Sequence, residues 1–167
     1  AKVGPIRSQA DSVMSVIRSR DTVVHLVTLL EEMPVQETVD GFSELAAADL
    51  PLGGVFVNMV RVPVLSPEAL AEAADGTLDT TELQRGLVDA GLGSPTGKRS
   101  GRVKAWADAL AAEAAEHAAR VALEHQERET LETTKRPIIE LPYLAGGIDT
   151  GSLYHLAAVL AANGVGR

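Results

Sequence analysis

The spacing of hydrophobic positions changes twice within the first sixty residues of the chain. Thr22–Leu30 (TVVHLVTLL) is apolar or β-branched at nearly every position. That predicts a strand covered on both faces, as in a parallel sheet with helices on either side. The run is too short to cross a membrane. From Pro34 to Ala48 the period lengthens, with Val35, Val39, Phe42 and Ala46 along one helical face. Gly53-Gly54 interrupts it, and Gly54–Val60 is apolar again apart from Asn58. Strand, helix, strand predicts a right-handed crossover joining two parallel, neighbouring strands.

The remainder attaches to this unit. Residues 1–20 open loosely at Gly4-Pro5, and Val13, Met14, Val16 and Ile17 predict a short helix that Arg18-Ser19-Arg20 ends. Pro34 suits the first turn of its helix. Gly41 lies inside that helix at a cost of about 1 kcal/mol relative to Ala, so a close neighbour is expected there. After Val60 a long excursion precedes the next strand. Ser66-Pro67-Glu68 reads as a capped helix start, with Asp75-Gly76 as its end. Asp79 and Glu82 resemble a capping box ahead of Leu83 and Leu87, and Gly91 and Gly93 stop that helix. Ser94–Arg102 is a polar loop. Val103 to Thr133 carries the longest helical pattern, with Val103, Trp106, Leu110, Ala114, Ala118, Val121 and His125 in one stripe. Pro137–Leu141 predicts a short third strand, Pro142–Gly151 a loop, and Ser152–Ala162 a last helix with Leu153, Leu156 and Leu160 facing inward. Asn163-Gly164 stops it. The expected class is α/β: three strands and about six helices in alternation. So narrow a sheet, with so apolar a first strand, implies further strands from elsewhere, most simply from an N-terminal half of the same domain.

Composition narrows the function classes. At 167 residues the chain suits one domain with a real core, and aromatics at 3% make that core aliphatic. A formal charge of −8, without a basic stripe, argues against nucleic acid as a partner. There are no cysteines, which removes disulfides, thiolate metal sites and thiol nucleophiles. No targeting or membrane-spanning segment is visible, so a cytoplasmic protein is expected. The chain opens Ala1-Lys2-Val3-Gly4 without a Met, as a processed product or a piece of a longer protein would.

Several residues invite a chemical reading. Gly93–Ser100 (GSPTGKRS) resembles a phosphate loop, but Leu92 stands at the first required Gly, Arg99 replaces the magnesium-binding hydroxyl and no strand leads in. A basic surface loop is the better reading. His117 with Glu113, Glu116 and His125 lacks the further ligands of a metal site, and a solvated, salt-bridged helix face is expected. His25 in an apolar strand reads as a hydrogen-bonded core histidine rather than a base. Nothing in the order of Ser, His and Asp identifies a triad. No catalytic residue and no metal ligand is assigned. Asn58 carries more: it stands at the carboxyl end of a parallel strand, where open α/β sheets bind ligands. Its amide offers a donor and an acceptor, which suits an adenine edge, although an Asn there also serves as a turn former. The Pro142–Gly151 loop emerges at the same edge, with Gly146-Gly147 permitting close backbone approach.

HLVTLLEEMPVQETVDGFSEL followed by LPLGGVFVNMV resembles the C-terminal half of the arsenite-pump, or anion-transporting, ATPases. That family of the P-loop NTPase superfamily also includes the ATPase that delivers tail-anchored membrane proteins. The matching residues are Pro34 with Glu37-Thr38, Val57-Asn58 at a strand end, and Leu141-Pro142-Tyr143-Leu144 with Gly147 before a helix. The resemblance implies that residues 1–167 are the C-terminal part of one nucleotide-binding domain, with 62–136 inserted as helices that bind a client or membrane-protein partner. It implies an adenine-side wall of Asn58, Pro142, Tyr143 and Leu144. ATP and Mg2+ belong to the parent, and neither is expected to bind tightly to this chain alone. The phosphate loop lies in the missing N-terminal half. A second ATPase subunit, identical or homologous, is the expected partner, and contact with the membrane would run through a partner. The family's zinc-holding cysteine pair is absent. The competing reading is a non-catalytic interaction module whose binding surface is the Val103–Thr133 helix.

Overall fold

The computed structural model of the chain describes residues 4–93 and 100–165. Along them run α1 (Pro5–Ile17), β1 (Val24–Thr28), α2 (Glu32–Ala47), β2 (Leu52–Val60), α3 (Pro67–Asp75), α4 (Thr80–Asp89), α5 (Ser100–Glu132), β3 (Ile138–Pro142) and α6 (Thr150–Ala162). The strands form one parallel sheet in the order β1-β2-β3. This is the α/β alternation that the hydrophobic periods predict. The boundaries move most at α1, which begins at Pro5 rather than near Val13. An exposed helix needs no apolar stripe, and a first-turn proline starts it well.

The chain divides into two units, Ala1–Val62 with His125–Arg167, and Pro63–Glu124. In the first, Val55 and Val57 of β2 are fully buried among Leu30, Val35, Phe42 and Leu131, with Leu26, Leu52, Val60 and Ile138 packed at the border. Both crossovers step the same way across the sheet, so their right-handedness puts α2 and the end of α5 on one face. Gly41 is the close approach expected in α2: a Cβ there would lie 3.3 Å from Leu26 Cδ1.

The covering expected on both faces of β1 is present on one. Val27 is 68% exposed, with Val23 and His25 exposed beside it. The outer edge of β1 pairs with no described strand. His25 is therefore hydrogen-bonded, as expected, but not a core residue. Its Nδ1 accepts the Gly54 N–H at 3.0 Å and its ring meets Phe56 edge-on at 5.2 Å. The register shifts there, from Val24↔Leu52 to Leu26↔Val55, and the imidazole takes the place of a ladder carbonyl. On β3, Ile138 faces the core and Ile139 is buried on the opposite side, and α6 packs against this strand. In α6 itself Leu153 is 55% exposed, against the inward position expected of it, while Leu156 and Leu160 are half-buried. The α6 start is held by a capping box, Ser152 N–H to Asp149 Oδ1 and Asp149 N–H to Ser152 Oγ, both 2.7 Å.

In the second unit, α3 starts at the expected Ser66 cap and ends at Gly76 in a left-handed conformation. The Asp79 carboxylate accepts the Thr81 and Glu82 amides to start α4. The α5 stripe is only partly inward: Val103 and Ala118 are buried as expected, and so is Ala107, while Trp106 and Leu110 are exposed, as is His125 where α5 enters the first unit. An alanine-rich helix buries through its small residues and leaves the large ones at the rim.

Candidate functional site

The two carboxyl ends of β2 and β3 meet at one rim of the parallel sheet. Val57 pairs with Glu140 and Val60 with Pro142, so Asn58 and Met59 together face the single residue Leu141. This is a β-bulge, and Met59 holds it in the left-handed region at φ 57°. A non-glycine residue there costs on the order of 1–3 kcal/mol, and such strain gathers at ligand sites. The bulge also sets direction. Val57 and Val60 are three residues apart, yet both pack on the same core, which strict alternation forbids. Their chain neighbours Asn58 and Arg61 accordingly fall to the opposite face. Asn58 is exposed at that rim.

β3 brings the other residues alongside. Pro142 ends the strand, and the Tyr143 N–H donates to Val60 O at 2.8 Å, carrying the ladder one step further. Tyr143 is 42% exposed, and the Arg61 guanidinium lies 4.4 Å over its ring. Leu144 is half-buried and opens a tight turn that the Gly147 N–H closes onto Leu144 O at 3.0 Å. Gly147 takes φ 79°, which glycine adopts without strain. A methyl group added at Gly146 or Gly147 would meet nothing within 4 Å, so the turn faces open space. All four sequence candidates, Asn58, Pro142, Tyr143 and Leu144, thus lie on two paired strand ends and the turn that follows.

The rim presents three kinds of group: an amide with donor and acceptor, an aromatic ring, and a planar cation. Among the described residues no three His, Cys, Asp or Glu side chains gather as a metal ion would need. Gly97, Lys98 and Arg99 of the loop that resembles a phosphate loop lie outside the described residues. His117 Nε2 accepts the Val64 N–H at 3.3 Å, and its Nδ1 lies 3.0 Å from Arg120. His125 lies 3.8 Å from Glu129. His117 thus ties the Val64 segment to α5, while His125 makes a contact within its own helix.

Three features of the structure have little or no signal in the sequence. The bulge carries no glycine to announce it. Arg61 was signalled only by its place one residue beyond the strand end. Glu127 is 4% exposed, although its surroundings in the sequence are charged. Among the described residues of the helical unit, two clefts run along α5. One, of about 300 Å³, is lined by Leu87, Leu92, Trp106, Ala109, Leu110 and Glu113. The other, of about 270 Å³, lies between Val64, Leu65 and the Leu110–Arg120 stretch. No described helix is long and apolar enough to cross a membrane.

The chain is similar to the ATPase BagA of Mycobacterium tuberculosis, at 39% identity over 165 residues. A Mycobacterium bovis protein that also carries an ATPase name matches at the same 39%. Each alignment takes in 99% of this chain and 46% of the relative, so the chain spans about half the length of the curated relatives it matches. No family model matches it.

Proposed function

We propose that this chain is the C-terminal portion of an ATP-binding, ATP-hydrolysing protein of the anion-transporting, arsenite-pump-like class. Its part would be the base-side wall of the nucleotide site, built from Asn58, Pro142, Tyr143 and Leu144. The observation that carries this reading is the bulged end of β2 set beside the Pro142–Gly147 turn of β3, at the rim where open α/β sheets take their ligands. The residues fit a purine base and offer nothing suited to a triphosphate. Phosphoryl transfer needs loop amides, a lysine and Mg2+, which the reading assigns to an N-terminal half. The same half would cover the open face and outer edge of β1. The ATPase names of the relatives support the coarse activity. A paired ATPase subunit and a client on the helical insert belong to the same proposal, as do a cytoplasmic location and membrane contact through a partner.

Asn58→Ala in the full-length polypeptide tests it. Losing a base-edge hydrogen bond of about 1–1.5 kcal/mol weakens ADP binding about tenfold and leaves pyrophosphate binding unchanged. Unaltered ADP affinity would sink the assignment. The 167-residue chain alone is expected to show no magnesium-dependent ATP turnover, and measurable turnover would place the chemistry here instead. The clefts along α5 favour a second reading, an interaction module. Asn58→Ala with intact nucleotide affinity and impaired partner capture would select it.

A further inference from the structure

We infer that Arg61 is a base-stacking residue of this site and sets its preference for purines, an inference that rests on the nucleotide reading above. The bulge at Asn58-Met59 turns Arg61 to the same face as Asn58, and the ladder puts it directly abreast of Tyr143. Its guanidinium lies 4.4 Å over the Tyr143 ring. Arginine is planar on both sides. With its Cζ over an aromatic ring, the guanidinium still offers a flat, charged surface to a ligand. A nucleobase stacking there completes a layered arrangement of tyrosine, arginine and base, with Asn58 one bulge away to read the base edge. Larger rings overlap more of a planar partner, so a purine gains more than a pyrimidine. Arg61 is exposed, and nothing else described stacks on it, so the outer surface is open to a ligand.

The test measures binding of ADP, UDP and pyrophosphate to the full-length polypeptide by calorimetry, for wild type, Arg61→Ala, Arg61→Lys and Asn58→Ala. Arg61→Ala is expected to weaken ADP about tenfold, the size that base stacking on a planar side chain carries, to narrow the ADP-over-UDP preference, and to leave pyrophosphate unchanged. Arg61→Lys should lose as much, because it keeps the charge and loses the plane. Full ADP affinity in Arg61→Lys would overturn the inference by showing that charge alone suffices. Tighter binding in Arg61→Ala would also overturn it, since Arg61 would then be competing with the base for the ring. Loss in Asn58→Ala with no change in Arg61→Ala rejects Arg61 and keeps the site. No change in either rejects the site itself.

Discussion

Gly54 is where β3 is seated against β2, and alanine at this position tests that seating. A Cβ on Gly54 would lie 2.6 Å from the carbonyl oxygen of Pro137, short by 0.8 Å of the 3.4 Å at which ordinary contact begins. That oxygen belongs to backbone, so it has no side-chain rotation with which to escape. It also accepts the Val55 N–H at 2.8 Å. Moving it therefore strains the start of β3 and breaks the first rung of the ladder. Overpacking costs about 1–3 kcal/mol and the rung about 1 kcal/mol, so Gly54→Ala should cost about 2–4 kcal/mol, a large share of an ordinary domain's stability. Gly53→Ala makes a contact of the same 2.6 Å, but with the His25 ring. That ring is exposed and can swing out, which limits the cost to its bond with the Gly54 amide, about 1 kcal/mol. Gly146→Ala, with nothing within 4 Å, is the silent control. Urea unfolding followed by circular dichroism should rank them Gly54, Gly53, Gly146 in order of damage, and the Val55 amide should lose its exchange protection in the first. A Gly54→Ala protein within about 0.5 kcal/mol of wild type, a change typical of neutral surface sites, would refute the seating.

Two further outcomes are expected. Gly86 sits inside α4 with nothing within 4 Å of an added Cβ, so Gly86→Ala should stabilise that helix by about 0.5–1 kcal/mol, seen as slower amide exchange along it. The Asp149 carboxyl is held below its usual 3.8, first by the hydrogen bond from the Ser152 amide and then by the Ser152 hydroxyl. A depressed folded pKa gives stability that is present above the unfolded value and is lost as pH falls through the folded one. The first turn of α6 should accordingly loosen as pH drops below about 3.8, and Asp149→Asn, which caps without titrating, should remove that dependence.

Much of the architecture was legible because its signals are local. The largely apolar runs around Val27 and Val57, the helical spacing of Val35 and Phe42, and the caps at Ser66 and Asp79 each depend on a few neighbouring residues. What sequence could not carry was anything decided across strands. His25 stands in an apolar run, yet its exposure depends on which face the two crossovers cover. Leu153 matches the inward period of α6 and still lies open. Met59 shows no sign of its left-handed backbone, because the register of β3 imposes it. Without that bulge, neither the shared face of Asn58 and Arg61 nor the Arg61–Tyr143 stack could be foreseen.

The flank of β1 that pairs with no described strand bears on how the polypeptide behaves in a test tube. Its five residues, VHLVT, hold no lysine and no proline, the two residues by which exposed strands commonly repel their own kind. Copies at high concentration should join flank to flank and drop out of solution. Low concentration, or a short strand-forming peptide supplied to occupy the flank, is the condition under which the isolated chain should stay dispersed.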